Sequence, residues 1–291
     1  MSGFLEQTVN GLASGGFYAM LALGLAVIFG MLGVVNFAHG ACYMLGAYGA
    51  YVVLHSLGLP FWWALGLVPV VLFLAGMALE RAVIARLTPL DPLYNFLLTF
   101  GITLVLQAAI TWHFGPTASP YEPPVELAGA VRVGSFVYPA YRLFVFGVAA
   151  ACSLLAWWAL ARTRVGVVVR AATERPELTR ALGVNVARWV TPVFGFGIAL
   201  AGLAGVLAAP VQAVTPLMGA DLIIVVFAVV VIGGLGSIIG SVLTGFAIGV
   251  LTSWAQAYAP AVVGQLLIFV LMAAVLLVRP AGLFGTQEAP L

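Results

Sequence analysis

Residues 162–188 read RTRVGVVVRAATERPELTRALGVNVAR. The stretch holds six of the chain's eleven arginines and two of its nine acids, Glu174 and Glu177, for a net charge of +4. The other five arginines and seven acids sum to −2. An arginine held at the centre of a bilayer costs at least about 2.5–3.5 kcal/mol, so this segment belongs in water. Arginine-rich loops stay on the cytoplasmic side, which assigns the side as well.

What surrounds the stretch is nearly all apolar. The chain is 64% hydrophobic and 7% charged, against about 25% charged in ordinary soluble domains. That composition defines an integral membrane protein. Its length provides for about eight to ten helical spans of about 20 residues each. The expected fold is all-α: a polytopic bundle of 8–9 transmembrane helices forming one domain over 1–291. Residues 162–188 are its main cytoplasmic loop and residues 114–140 a periplasmic one. Cys42 and Cys152 both sit in apolar runs, far from any metal-ligand spacing. The net charge of +2 is too small to point to nucleic acid. The first basic residue is Arg81, so no basic region of a cleavable signal is visible, and the N-terminus is placed outside.

Within the arginine-rich stretch, residues 174–183 read as a short helix with about ten residues on either side. Pro176 fits the first turn, where its missing N–H is not needed. Glu177 near the start and Arg180 near the end both suit the helix dipole. Gly183 is a natural residue to follow the last turn. Leu178, Ala181 and Leu182 fall on one face, while Glu177 and Arg180 fall on another. So short a helix is marginal alone in water, which implies that something holds it.

Taken in order, Gly11–Leu32 is a first span, rich in glycines that permit close helix contact. Asn36 and His39 follow between Gly33 and Gly40. They mark a helix break or a buried polar patch, with two roles open: bonding freed backbone groups or lining a path. Ala41–Leu54 is a second span. Pro60–Leu79 is a third, entered through Phe61, Trp62 and Trp63 as an aromatic belt. Glu80, Arg81 and Arg86 form a short inner loop. Leu93–Trp112 carries Asn95, Thr99, Thr103 and Gln107 at intervals of four, which puts them on one face turned away from lipid. Residues 114–140 hold five prolines, too many for a long helix. Further spans run over Arg142–Ala161, Trp189–Ala209, Asp221–Gly233, Ser241–Gln256 and Ala261–Leu277. Nine crossings put every arginine-rich loop inside; a short Asp221–Gly233 segment that re-enters would give eight. Gly30–Gly33 and Gly233–Gly236 each join two apolar segments, a faint internal similarity of the kind seen at broken helices in transporters.

Enzyme chemistry has little to work with. Ser237 has no partner at a recognisable spacing, and no phosphate-binding glycine loop is present. No arginine ladder of a voltage sensor or ion-filter signature occurs either. A transport protein remains. With few intramembrane ionisable groups, its energy has to arrive from outside the membrane. The rivals are a passive small-solute channel, which does not need the arginine-rich loop, and an assembly subunit with no path of its own.

Four blocks carry a resemblance: residues 24–30 (GLAVIFG) leading into 35–40 (VNFAHG) and 44–48 (MLGAY); Arg170-Ala171-Ala172 through residues 182–185 (LGVN); residues 201–207 (AGLAGVL); and residues 233–237 (GGLGS) with 279–285 (RPAGLFG). Across nearly its whole length the chain resembles the smaller permease type of bacterial branched-chain amino acid ABC importers. The resemblance implies a multi-pass inner-membrane protein that is not itself an enzyme and uses no cofactor. It implies a second permease as heterodimer partner, two cytoplasmic ATPase subunits and a periplasmic substrate-binding protein. It also implies that Arg170, Glu174, Arg175, Pro176, Glu177, Leu178, Arg180, Leu182 and Gly183 form the coupling segment seated on an ATPase. The general coupling motif of such importers begins Glu-Ala-Ala, whereas this chain has Arg170, so residue-level contacts do not carry over. Related permeases import urea or short amides, and those substrates stay open beside branched-chain amino acids. Asn36, His39, Thr99, Thr103 and Gln107 are the expected path residues.

Overall fold

The computed structural model describes residues 2–33, 35–88, 90–133, 136–174 and 176–285. Among them are eleven helices of a membrane bundle. They are α1 Ser2–Leu32, α2 Ala38–His55, α3 Phe61–Leu79, α4 Pro92–Phe114, α5 Ala140–Arg162, α6 Arg164–Glu174, α7 Pro176–Ala181, α8 Val186–Ala208, α9 Met218–Gly233, α10 Ile238–Tyr258 and α11 Ala261–Val278. Six are long and apolar enough to cross a membrane: α1, α3 with its extension to Leu87, α4, α5, α8 and α10. Helices α9 and α11 are apolar but shorter, and α2 has 18 residues.

The sequence pattern sets where each helix begins. Asp91 accepts a hydrogen bond from Leu93 N at 2.8 Å, with Pro92 in the first turn of α4. Asn185 caps α8 through Arg188 N, and Ser237 caps α10 through Gly240 N at 3.2 Å. Each cap satisfies a backbone donor that the helix itself leaves unpaired.

Helices α1 and α8 form the centre. Within their apolar windows 72% and 61% of residues are buried, against 22% for α3, α4 and α5. Those outer helices therefore present Leu67, Leu74, Leu97, Leu104, Leu154 and Leu155 outward, where lipid or a partner would cover them. Close packing at the centre rests on glycine. A Cβ at Gly15 would come 2.9 Å from Phe246 Cα, and one at Gly249 would land on Gly15 itself, so α1 and α10 touch backbone to backbone. Gly46 on α2 meets Gly202 on α8 in the same way.

Three expectations are corrected. The inner loop expected at Glu80–Arg86 is helix: α3 continues through a π-helical turn, Glu80–Ile84, to Leu87. Residues 80–87 contain neither Gly nor Pro to stop a helix. The side chain of Glu80 is buried, and its Oε2 accepts a 2.6 Å hydrogen bond from Thr191 Oγ1 on α8. The ten residues expected ahead of the short cytoplasmic helix are themselves helical, as α6. The segment 114–140 holds an antiparallel hairpin, β1 Ala130–Val133 with β2 Phe136–Pro139, pairing Val131 with Tyr138 and Arg132 with Val137. Tyr138 OH and Arg142 Nη1 both donate to Asn10 Oδ1, at 2.9 and 2.6 Å, which fixes this hairpin to α1.

Candidate functional site

Two features stand apart from routine helix packing: the break after α1 and the paired helices α6 and α7. At the break, Gly33 turns the chain with φ +66°, and α2 begins at Ala38 without a side-chain cap. His39, in the first turn of α2, is fully buried, and its Nε2 lies 3.0 Å from the carbonyl oxygen of Leu21. Leu21 stands three turns before the end of α1, about 16 Å back along its axis at about 1.5 Å per residue. The chain therefore runs back along α1 before α2 starts, and α2 opens beside the middle of α1 rather than beside its end. A second helix begins beside it. Gly219, in the first turn of α9, packs its backbone on the Gly40 carbonyl of α2. Two helix N-termini thus meet inside the bundle, an arrangement common where transporters hold their solutes.

The α4 stripe closes the break from the side. Phe37 N donates to Thr99 Oγ1 at 3.3 Å, and the Phe37 and Phe96 rings meet edge to face at 5.0 Å. Asn95, Thr99 and Thr103 are buried, as their spacing predicts, while Gln107 is half-buried. Thr99 and Thr103 donate their hydroxyls to carbonyls one turn back, at Asn95 and Thr99. Among the described residues several buried polar atoms have no partner: Asn36 Nδ2, His39 Nδ1, both amide atoms of Asn95 and Gln107 Nε2. Asn36 Oδ1 accepts from Ala38 N at 3.1 Å. The structure thus joins the residue after Asn36 to Thr99, sets Thr103 one turn along from it, places His39 against α1, and sets Gln107 farther along the same α4 face. Asn95 belongs with this group and was read only as part of the stripe.

On the arginine-rich segment, Thr163 caps α6 by accepting from Gly166 N at 3.2 Å. Gly166, Val169 and Ala172 recur every three residues on the buried face of α6. Ala172 joins Val186 and Val190 of α8 against Met31 and Leu32, the last residues of α1 before the break. Helix α7 starts at Pro176, as expected. Gly183 follows with φ +83°; Gly183 N donates to Arg180 O and Val184 N to Thr179 O, the bonding of a glycine-closed helix end. Thr179 Oγ1 donates to Ala171 O at 2.8 Å and ties α7 to α6. Leu178 and Leu182 stay bare, Leu182 at 84% exposure. Arg170 lies half-buried on α6, Glu177 and Arg180 are exposed on α7, and Glu174 ends α6. Arg175 lies outside the described residues. Helix α6 has little signature in the residues themselves, since a run of valines favours strands; the three-residue recurrence is the available signal.

A bundle of apolar helices, a buried polar break and a basic appendage define a polytopic membrane permease. The chain matches the family described as branched-chain amino acid transport system / permease component over residues 7–276, and it belongs to that family. It is 30% identical to the high-affinity branched-chain amino acid transport system permease protein BraD of Pseudomonas aeruginosa, over 98% of this chain and 97% of that one. It is 29% identical to LivH of Salmonella typhimurium, over 98% and 96%. With LivM of the same organism it shares 32% identity over 76% of this chain and 57% of LivM. No solved structure is significantly similar.

Proposed function

We propose that the chain is one of two permeases in an ATP-driven importer that carries branched-chain amino acids across the inner membrane. The observation that carries this reading is the seating of α6 and α7. Bare Leu178 and Leu182 offer an apolar knob to a partner in water, and Thr179 hands α7's position to α6. Ala172 then rests on Met31 and Leu32, directly ahead of the Gly33 break. A push on α7 is thereby transmitted as a rigid shift to the point where the chain turns back into the bilayer.

In this reading α6 and α7 lie in the cytoplasm with the C-terminus, and the N-terminus lies outside. Two ATPases seat the segment holding Arg170, Glu174, Arg175, Pro176, Glu177, Leu178, Arg180, Leu182 and Gly183, and they alone hydrolyse ATP. A binding protein delivers substrate from outside. LivH and LivM of one organism both bear the name of high-affinity branched-chain amino acid permeases, which supports a second, non-identical permease here. The path passes the break and the α4 face, with Asn36, His39, Thr99, Thr103 and Gln107 on its wall. The unpartnered Asn36, Asn95 and Gln107 amides are available to a passing zwitterion. Nine crossings are the preferred count, with α2 and α9 starting below the surface.

The test is purification of the detergent-solubilised chain from its native membrane, with identification of what accompanies it. Two ATPases and a second permease are the expected companions. Recovery of the chain alone, under conditions that keep a known importer of this class assembled, would overturn the reading in favour of a passive channel.

A further inference from the structure

A cleft of about 400 Å³ lies between α1, α9, α10, α11 and the segment before α9, beside the last turns of α10 and the first turns of α11. That size lies within the usual range of small-molecule sites, about 300–1,000 Å³. Its polar groups come from four places: Tyr18 on α1, Gln212 and Thr215 before α9, Asp221 on α9, and Gln256 on α10. Only Asp221 is charged. Its carboxylate is solvent-accessible and makes no hydrogen bond or ion pair among the described residues. Farther in, Leu222 and Val225 of α9 face Ile268 of α11 and form an apolar wall. Val225 lies one turn deeper than Asp221, about 6 Å along α9.

An acid in the first turn of a helix suits the helix dipole, and that alone would explain Asp221. The dipole does not explain why three other elements turn neutral polar groups into the same cleft, or why an aliphatic wall follows. A lone carboxylate among neutral acceptors, above an apolar floor, fits a ligand with a cationic head and an aliphatic tail. We propose that this cleft receives the substrate from the external binding protein, Asp221 taking its ammonium group and the Val225–Ile268 wall its side chain. The proposal rests on the importer reading above and deepens it: Asp221 selects amino acids over urea and neutral amides, which carry no ammonium. Gly219, two residues before Asp221, packs on Gly40 of α2, so the cleft adjoins the break.

The experiment is uptake of radiolabelled leucine by proteoliposomes holding the complete importer and its binding protein. Asp221→Asn and Asp221→Glu are compared with the natural chain, after co-elution of all subunits shows equal assembly. Loss of a charge-assisted pair is expected to cut leucine uptake about ten-fold or more in Asp221→Asn, while Asp221→Glu keeps most of it. Uptake by Asp221→Asn at the natural rate, or equal loss in both variants, would overturn the proposal. So would uptake by the natural importer that collapses when choline replaces sodium, since Asp221 would then hold a metal ion. A natural importer that moves acetamide but no leucine would overturn the amino-acid reading itself, before any variant is compared.

Discussion

His39 Nε2 lies 3.0 Å from the carbonyl oxygen of Leu21, joining the first turn of α2 to the middle of α1. This contact fixes how far the chain climbs back after the Gly33 turn, and so the depth at which α2 begins. Gly24 lines the same contact: a Cβ there would come 2.8 Å from Gly197 O and 2.9 Å from His39 Cε1.

Removing the ring leaves a void in the packed interior and takes away the second hydrogen bond of the Leu21 carbonyl. His39→Ala is expected to destabilise the protein by about 1–3 kcal/mol. Gly24→Ala is expected to do so through displacement of the same ring. Thermal unfolding in detergent checks both, and a melting temperature unchanged in His39→Ala would remove the contact from any role in setting the break.

The depth of α2 was not legible in the sequence. Gly33, Asn36 and His39 announced a break, but hydropathy cannot distinguish a simple turn at the helix end from one that runs the chain back along α1. Only the partner on another helix, Leu21, fixes the depth. The α4 stripe was legible because Asn95, Thr99 and Thr103 repeat at helical spacing with no competing pattern. Gly183 was legible for a local reason too, since a helix end that needs a positive φ selects glycine. Glu80 misled: a charge beside Arg81 reads as a loop, and its partner Thr191 is over a hundred residues away.

The Glu80–Thr191 pair is a buried carboxylate held by a hydroxyl at 2.6 Å. Thr191→Val leaves that carboxylate without its hydroxyl donor, whereas Glu80→Leu with Thr191→Val removes both polar groups. A double-mutant cycle by chemical denaturation is therefore expected to give a coupling of about 1.5–3 kcal/mol, the range for hydrogen bonds to charged groups. Additive effects would mean that the bond does not hold α3 to α8.

Glycines divide sharply by neighbourhood. A Cβ at Gly249 collides with the α1 backbone at Gly15, while Gly101 and Gly147 have open space around theirs. Gly249→Ala is expected to lower the melting temperature by several degrees or abolish expression. Gly101→Ala and Gly147→Ala are expected to be neutral or to stabilise, by up to about 1 kcal/mol of helix propensity. Equal behaviour of the three variants would contradict backbone-to-backbone packing of α1 on α10.

Tyr121, in the segment before the hairpin, is buried beside the Phe61 and His55 rings, and its hydroxyl has no partner. Burial raises its pKa from 10.0 to about 12. The raised value means the folded state keeps the proton longer than the unfolded one. That stabilisation is complete below pH 10 and is lost as pH rises through about 12. Tyr121→Phe removes the titrating group, so the variant is expected to lose less stability than the natural chain between pH 10 and 12. Parallel pH–stability curves over that window would show that Tyr121 is not buried in solution.

The bare leucines of α7 separate folding from assembly. Leu182 is 84% exposed and Leu178 53%, so polar replacements remove almost no internal packing. Leu178→Ser and Leu182→Ser are expected to change the stability of the isolated chain by no more than about 0.5 kcal/mol. If an ATPase groove covers them, each is a desolvated anchor, and its loss is expected to weaken ATPase association by about 1–2 kcal/mol. Titration of purified ATPase onto the detergent-solubilised permease pair measures the second quantity, and unfolding of the permease measures the first. Weakened association with unchanged stability is the outcome expected of a docking knob. Lost stability would make these leucines part of the bundle, and unchanged association would move the coupling surface elsewhere, with Arg170 on α6 the next residue to examine.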